Sequence, residues 1–201
     1  MLRFLSYIYA FKKRDYIKGN KNRIKDDCPL CLICEDCEGN KKDKSSNGKC
    51  LKNNVIVNLH VFQTDKIVCC INLYPYNSGH IMLFPKRHIV DFREFEDDEL
   101  NHINFFTKFM LNIIDEIYNP TGYNIGFNIG EFAGASINHL HLHIIPRFKN
   151  ELGLIDIIGG AKVIIEDPNE TLKKLRAKVK EKVEGDKNKI CAKYNVKISD
   201  K

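Results

Sequence analysis

The sequence predicts an α+β fold in which a five-stranded antiparallel sheet carries one main helix and a C-terminal helix. Two patterns lead to this prediction. Short apolar segments rich in β-branched residues are separated by turn residues, as in a meander of strands. One long segment instead repeats apolar residues at intervals of three and four, which is the period of an amphipathic helix.

The predicted strands occupy the middle of the chain and are separated by turns rich in Gly, Pro and Asn. Val, Ile and Phe dominate them, and β-branched and aromatic residues favour strands. The predicted strands are Val55–Phe62, Lys66–Leu73, His80–Pro85, Tyr123–Ile129 and Leu140–Pro146.

The main helix is predicted between Asp91 and Tyr118. Its acidic run, Glu94–Glu99, suits a helix N-terminus, where the macrodipole favours negative charge. The Asn-Pro pair at residues 119–120 ends it. A second, charged helix is predicted at Asn169–Glu184.

The chain divides into three predicted parts. Residues 1–27 form an N-terminal extension, residues 28–165 a single domain, and residues 166–201 the charged C-terminal helix and tail. Within the domain, residues 28–37 form a cysteine knuckle. Residues 38–54 form a flexible insertion, because Gly, Ser, Asn and Lys replace apolar residues there.

Charge and hydropathy narrow the function classes. The formal net charge is +6, from 32 Lys and Arg against 26 Asp and Glu. Because the lysines concentrate near the termini and the insertion, we interpret them as solvated and expect no nucleic-acid partner. No apolar run approaches the roughly 20 residues of a membrane span, so no membrane partner is expected. We expect a cytoplasmic location, with the nucleus or an organelle address in the first dozen residues left open.

Three histidines alternate with apolar residues in the last predicted strand. Since side chains alternate between the two faces of a strand, His139, His141 and His143 are expected to share one face. Packing gains nothing from three adjacent imidazoles. Neutral imidazole can act as a nucleophile or a metal ligand near pH 7, so we interpret this face as a functional site.

The segment before this strand, Gly126–Ser136, is rich in Gly and other small residues. Such residues let backbone N–H groups approach phosphate oxygens closely. A Gly-rich stretch alone is most often a plain loop. Its position directly before three histidines favours a phosphate-binding loop.

Together these motifs resemble the histidine-triad family. His139–Ile145 fits that family's pattern of three alternating histidines followed by apolar residues. Gly79–His88 is similar to its Gly-His segment ending in Pro-Lys-x-His, and Cys28–Cys31 is similar to its N-terminal C-x-x-C. The resemblance covers residues 28–150. It implies the histidine-triad fold and a nucleotidyl hydrolase or transferase that cleaves dinucleoside polyphosphates or related nucleotide conjugates.

The resemblance also implies a covalent mechanism. His141 would attack the α-phosphate and form a nucleotidyl-histidine intermediate, with its other ring nitrogen held by a backbone carbonyl. The other catalytic residues implied are His143 at the phosphate, Ser136 at the bridging or leaving oxygen, and His139. The substrate-binding residues implied are Asn72 and Leu73 at the ribose and base, Asn128, Gly134 and Ala135 at the phosphate, and His80. A role for Asn72 and Asn128 as plain turn or surface amides stays open.

One position departs from the family pattern. Many hydrolases of the family have Gln where this chain has Ala135. The runs Ala133–Ile137 and Ile157–Ile164 look more like the diadenosine tetraphosphate phosphorylase branch. This likeness favours inorganic phosphate over water as the acceptor, and both stay open.

Four of the 8 Cys fall in the knuckle, at positions 28, 31, 34 and 37. Since no secretory signal is predicted, this spacing is more typical of reduced metal ligands than of disulfides. The resemblance implies one structural Zn²⁺ per chain, held by Cys28, Cys31, His88 and His139. A Cys₄ knuckle and an iron–sulfur cluster are alternatives, and so are plain thiols at the last two positions. No organic cofactor is expected.

Two other function classes stay open. A protein of this fold can be a nucleotide sensor or an interaction protein without catalysis. Processing of an RNA tail or cap is a third hypothesis. The expected partners are a nucleotide or dinucleoside polyphosphate substrate and, as the family resemblance implies, a second copy of the chain in a homodimer.

Overall fold

The structure is a computed structural model that describes residues 28–37, 59–149, 151, 166–185 and 189–198. Within these residues the chain forms a six-stranded antiparallel sheet with helices packed on both faces. The predicted extension 1–27, the insertion 38–54, residues 55–58 of the first predicted strand and the segment 157–164 lie outside the described residues.

The elements follow in chain order. They are α1 (Pro29–Cys37), β1 (His60–Gln63), β2 (Ile67–Ile71), β3 (Ile81–Pro85), a 3₁₀ turn (Phe92–Glu94), α2 (Asp97–Tyr118), β4 (Gly122–Phe127), a second 3₁₀ turn (Glu131–Ala133), β5 (Leu142–Arg147), α3 (Pro168–Gly185), α4 (Lys189–Tyr194) and β6 (Lys197–Ile198).

The sheet has the strand order β4-β5-β3-β2-β1-β6, and the paired strands are antiparallel. The α+β prediction is confirmed. The predicted number of five strands is wrong, because β6 adds a sixth by pairing with Phe62 and Gln63 of β1. β6 has only two residues, so it forms through pairing with a distant strand rather than through a local pattern.

The main helix starts later than predicted. Asp91 caps a separate 3₁₀ turn, where its carboxylate accepts from the Arg93 N–H at 2.9 Å. α2 begins at Asp97, and the Glu96 N–H donates to the Glu99 carboxylate at 3.0 Å. The helix ends where Asn119 takes φ 46°, which agrees with the predicted stop.

The two faces of the sheet pack against different helices. On one face, buried residues of α2 and α3 form the main core with the strands, among them Phe106, Met110, Ile113, Leu175 and Val179. On the other face, α1 packs against Val68, Met82 and Phe84 through Leu30, Ile33 and Cys34. None of the described helices has both the length and the apolar character that crossing a membrane requires.

The turn before β3 needs glycine. Gly79 has φ 78°, and a Cβ at this position would lie 3.0 Å from the ring of Tyr118. For both reasons, any residue with a Cβ would destabilise this turn. The turn delivers His80 to the start of β3, on the face that α1 covers in part.

Candidate active site

The three predicted histidines lie on and just before β5. β5 begins at Leu142, so His139 and His141 occupy the segment that leads into the strand. The Leu140 N–H donates to the Ile89 carbonyl at 2.7 Å and fixes this segment. His143 lies within the strand, opposite Met82 of β3. The histidine side chains therefore differ in surroundings, although all three are buried.

A pocket open to solvent lies between α1, the end of β2 and the loop before β5. Six residues predicted for the site line it: Asn72, Leu73, Gly134, Ser136, His141 and His143. Ten further residues line it: Pro29, Leu30, Ile33, Leu59, Cys70, Ile71, Tyr74, Tyr76, Met82 and Ile137. The lining therefore combines apolar side chains with two imidazoles and a hydroxyl.

The ring of His141 is oriented by the main chain. Its Nδ1 donates to the carbonyl of His139 at 2.7 Å. Because a carbonyl can only accept, Nδ1 carries the proton, and Nε2 of the neutral ring keeps its lone pair. Burial lowers the pKa of His141, so the neutral form is favoured near pH 7.

His143 carries its proton on the other ring nitrogen than His141 does. The Tyr76 N–H donates to Nδ1 of His80 at 3.1 Å, which places the proton of neutral His80 on Nε2. That nitrogen lies 3.0 Å from Nδ1 of His143 and donates to it. Neutral His143 therefore carries its proton on Nε2, as a donor.

The two pocket histidines thus differ in chemistry at short range. Their ring centroids are 4.7 Å apart with the planes at 72°. His141 offers a basic nitrogen and His143 offers an N–H. A nucleophile beside a hydrogen-bond donor is the arrangement that acyl or phosphoryl transfer uses.

The Gly-rich loop makes a tight turn beside these rings. Gly130 and Gly134 have φ 86° and 93°, where glycine is strongly favoured. The Ala135 N–H donates to the Gly130 carbonyl at 3.2 Å. A Cβ on Gly134 would lie 3.8 Å from the Asn128 amide. Asn128 and Ala135 therefore lie next to a pocket-lining residue without lining the pocket themselves.

Asn72 sits where β2 ends and lines the pocket. Its Oδ1 accepts from the Tyr74 N–H at 2.9 Å, and its Nδ2 lies 3.5 Å from the Met82 sulfur. The side chain is thus fixed by a local turn and faces the same space as the histidines.

Four sulfur and imidazole donors form a separate cluster behind the pocket. Donor atoms of Cys28, Cys31, His88 and His139 lie within 4.8 Å of one another. Nδ1 of His139 is 3.5 Å from both cysteine sulfurs, and Nδ1 of His88 is 3.3 Å from the Cys31 sulfur. These are the four residues predicted as metal ligands.

The donor set suits a metal of the zinc type. Nε2 of His139 donates to the Pro85 carbonyl at 2.9 Å, so Nδ1 is left unprotonated toward the cysteines. Hydrogen bonding to Cys31 lowers the pKa of the Cys28 thiol well below its usual range, which favours the thiolate that a metal binds. Two thiolates and two imidazoles are a typical closed zinc set.

Among the described side chains, the further knuckle cysteine Cys34 is not part of this group. Cys34 lies buried in the apolar cluster with Val68 and Phe84. The side chain of Cys37 lies outside the described part of the chain. The arrangement favours the Cys₂His₂ set over a Cys₄ knuckle.

Sequence reasoning missed the pocket wall that α1 supplies. The segment was expected to act only as a metal knuckle, yet Pro29, Leu30 and Ile33 face the pocket. The available signal was the spacing of Leu30 and Ile33, since residues three apart share a helix face. Tyr76 was also missed, although its backbone N–H orients the His80 ring.

The chain was compared with known proteins. The HIT domain family model matches residues 53–150. An uncharacterized HIT-like protein of Methanocaldococcus jannaschii is 33% identical over 116 residues, which cover 58% of this chain and 87% of that protein. An AP-4-A phosphorylase of Mycobacterium tuberculosis is 39% identical over 99 residues, which cover 49% of this chain and 51% of that enzyme. The chain thus spans about half the length of this second relative.

A solved structure shares the fold. It is a Zn-bound histidine triad family protein from Mycobacterium smegmatis, with a TM-score of 0.57 and 18% identity, and the alignment covers 79% of this chain and 97% of that one. The three alternating histidines, the antiparallel sheet and the match to most of the M. jannaschii protein agree. This chain is a member of the histidine-triad, or HIT, family.

Proposed function

We propose that the protein is a nucleotidyl hydrolase or transferase that cleaves dinucleoside polyphosphates, or related nucleotide conjugates, at the α-phosphate. The observation that carries this proposal is the pair of opposite tautomers in the pocket. His141 presents a basic Nε2, because its Nδ1 proton is held by the His139 carbonyl. His143 presents an N–H, because His80 donates to its other nitrogen.

In the first step, Nε2 of His141 attacks the α-phosphorus. A nitrogen–phosphorus bond forms and the bond to the bridging oxygen breaks, which releases the rest of the polyphosphate. His143 and Ser136 line the same pocket, and their N–H and O–H groups would stabilise charge on the phosphate and the leaving oxygen. The product of this step is a nucleotidyl-histidine.

In the second step, an acceptor oxygen attacks the phosphorus and the nitrogen–phosphorus bond breaks. Water as the acceptor gives a nucleoside monophosphate, whereas inorganic phosphate gives a nucleoside diphosphate. Ala135 and the likeness to an AP-4-A phosphorylase favour phosphate. The acceptor is therefore identified by the product, not only by the rate.

The apolar part of the lining suits the nucleoside. Leu30, Ile33 and Leu73 line it, together with Asn72. Apolar walls around a flat heterocycle with a few fixed polar groups are typical of such sites. The Asn72 amide, held in place by the Tyr74 N–H, is proposed to bind the ribose hydroxyls.

One structural zinc ion per chain is proposed at Cys28, Cys31, His88 and His139. The close approach of the four donors and the zinc-bound M. smegmatis neighbour support it. Bound zinc would supply a closed crosslink between α1 and the segment before β5, with no open coordination position for chemistry.

A homodimer through β4 is also proposed. β4 is the last strand of the sheet on its side among the described residues, so one row of its backbone groups faces outward. Ile125 on this strand is 45% exposed, and Phe92 beside it is 43% exposed. Two copies can satisfy these groups by pairing their edges. Sedimentation of the protein at several concentrations would show whether the dimer forms.

The covalent mechanism can be tested by trapping the intermediate. Diadenosine tetraphosphate labelled at the α-phosphates is mixed with the protein, quenched rapidly and analysed by mass spectrometry of the intact chain. We expect an adenylylated protein whose label maps to His141. His141→Asn should give no adduct and little turnover but should still bind adenosine monophosphate. His102→Asn, a histidine change on α2 outside the pocket, is the matched control and should behave as the parent.

Two outcomes would contradict the proposal. Turnover of His141→Asn within about tenfold of the parent, or about 1.4 kcal/mol of barrier, rules out the covalent step. Binding of nucleotides without turnover of any substrate would instead favour the nucleotide sensor. If inorganic phosphate changes neither the rate nor the products, the protein is a hydrolase.

A further inference from the structure

We propose that metal binding at the Cys₂His₂ cluster and nucleotide binding in the pocket are thermodynamically coupled, because the same two chain segments build both sites. This inference rests on the proposed nucleotide function and adds its regulation. The two segments are α1 and the stretch from His139 to His141. The metal cluster is therefore expected to control how tightly the protein holds a nucleotide.

α1 and the residue just before it carry metal donors and pocket wall within two turns. Cys28 and Cys31 point into the cluster. Leu30 and Ile33, which are 2% and 3% exposed, line the pocket. A displacement of the helix that separates the cysteines from the two histidines would also move this apolar wall. The donors and the wall residues all lie within residues 28–33, at and just before the start of α1, so they cannot move independently.

The second segment links the metal to the proposed nucleophile. Nδ1 of His139 faces the cysteines, while the carbonyl of the same residue accepts the Nδ1 proton of His141 at 2.7 Å. The position of the His139 backbone thus sets the direction of the His141 ring. A metal that holds the His139 side chain would hold this carbonyl as well.

α1 is too short to be stable by itself. It has nine residues, fewer than the roughly 12–15 that an isolated helix needs in water. Among the described residues, its other anchor is the apolar cluster with Val68, Met82 and Phe84. Met82 lines the pocket too, so a loosened helix would expose this part of the pocket wall to solvent. Binding of either ligand therefore requires an ordered α1. The ligand that binds second no longer pays the entropy of ordering this helix, so each ligand strengthens the binding of the other.

Coupling of this kind is reciprocal. If zinc strengthens nucleotide binding by some factor, the nucleotide must strengthen zinc binding by the same factor. Typical coupling corresponds to a change of about 5–150-fold in affinity. The probe is adenosine monophosphate, which carries the nucleoside and α-phosphate of the proposed substrate and has no polyphosphate bond for the enzyme to cleave.

The affinity for adenosine monophosphate is measured by calorimetry on the full chain, once loaded with zinc and once stripped by a chelator. We expect binding at least about fivefold weaker in the stripped protein. In the converse titration, a chromophoric chelator competes for zinc with and without the nucleotide. The nucleotide should raise zinc affinity by the same factor. Far-UV circular dichroism shows whether the zinc-stripped protein stays folded. If it unfolds, the comparison uses the variant His88→Gln instead, which keeps three of the four metal donors.

Three variants on α1 separate the alternatives. Cys31→Ala removes a donor and should weaken both zinc and nucleotide binding. Cys34→Ala changes a buried cysteine three residues later that is not a donor, and should leave zinc at one ion per chain; because it trims one small group from the anchor of α1, nucleotide binding should weaken less than in Cys31→Ala. Leu30→Ala should weaken nucleotide binding while zinc still binds at one ion per chain.

The outcomes distinguish the two proposals. Equal nucleotide affinity in the folded zinc-loaded and zinc-depleted proteins, within about twofold, overturns the coupling and leaves the proposed function standing. A zinc-loaded protein that binds neither adenosine monophosphate nor diadenosine tetraphosphate overturns the proposed function and the coupling with it. Zinc affinity that does not respond to a nucleotide that binds also overturns the coupling.

Discussion

Mild acid is expected to destabilise the fold through His60, a residue of β1 outside the pocket lining. The side chain is 2% exposed, and neither ring nitrogen has a hydrogen-bond partner among the described residues. Burial, aided by the positive charges of Arg176 and Lys86, lowers the pKa of His60 from 6.5 to about 4. The Arg176 guanidinium lies close, since its Nε donates to the His60 carbonyl at 2.9 Å.

The direction follows from which state binds the proton. Above pH 7 the ring is neutral in the folded and the unfolded chain. As the pH falls through 6.5, the unfolded chain takes up a proton that the folded chain does not accept until about pH 4. The free energy of unfolding therefore decreases across this window. Between pH 7 and pH 5 the loss is about 2 kcal/mol, since each pKa unit that the pH crosses is worth about 1.4 kcal/mol.

The assay is urea unfolding of the parent and of His60→Leu at both pH values. Metal ligands also become protonated in acid, but they are the same in both proteins, so the difference between the two proteins isolates His60. His60→Leu should lose about 2 kcal/mol less than the parent on acidification. At pH 7 it should be at least as stable, because two unpartnered buried nitrogens are removed. Equal losses in both proteins, or a marked loss of stability in the variant at pH 7, would refute the reasoning.

Three further predictions concern the site and its frame. His80→Phe should reduce kcat by about 10–100-fold and leave the Kd of adenosine monophosphate nearly unchanged, because His143 loses the donor that fixes its tautomer; steady-state kinetics and calorimetry check both values. Gly79→Ala should destabilise the fold by about 1–2 kcal/mol in urea unfolding, since φ is 78° and the Tyr118 ring is 3.0 Å from the added Cβ. Elemental analysis should find about one zinc per chain, and stripping it should lower the melting temperature, with recovery on adding zinc back; a brown protein absorbing near 400 nm would point to an iron–sulfur cluster instead.

Local patterns predicted most of the sheet and the main helix, since alternation and helical period are properties of short segments. The start of α2 was placed six residues early, at Asp91 instead of Asp97. Two successive capping motifs, Asp91–Glu94 and Glu96–Glu99, precede the helix, and the local pattern does not distinguish which of them starts it. β6 was missed because two residues carry no period, and its register depends on β1, more than a hundred residues away.

The histidine strand was the most predictable part of the site. Its alternation places His141 and His143 in one pocket, as the pattern requires. The alternation itself does not divide the roles among the three histidines; the expected division comes from the family resemblance. His139 faces the cysteines with its ring held by the Pro85 carbonyl, a contact that the sequence pattern does not indicate. The tautomers depend on two backbone groups, a carbonyl and an amide, and no side-chain pattern encodes their directions.

These backbone groups make the three histidines non-equivalent in a way that the motif alone does not. A carbonyl cannot donate and an amide N–H cannot accept. The direction of each series of hydrogen bonds is therefore fixed while the rings stay neutral. The hydrogen bond to the His139 carbonyl leaves His141 with a basic Nε2. The hydrogen bonds from the Tyr76 N–H to His80, and from His80 to His143, leave His143 with an N–H donor at Nε2. Exchanging the roles of these two rings would require a carbonyl and an amide to change places. We therefore infer that main-chain hydrogen bonds determine which ring attacks the phosphate and which ring stabilises its charge.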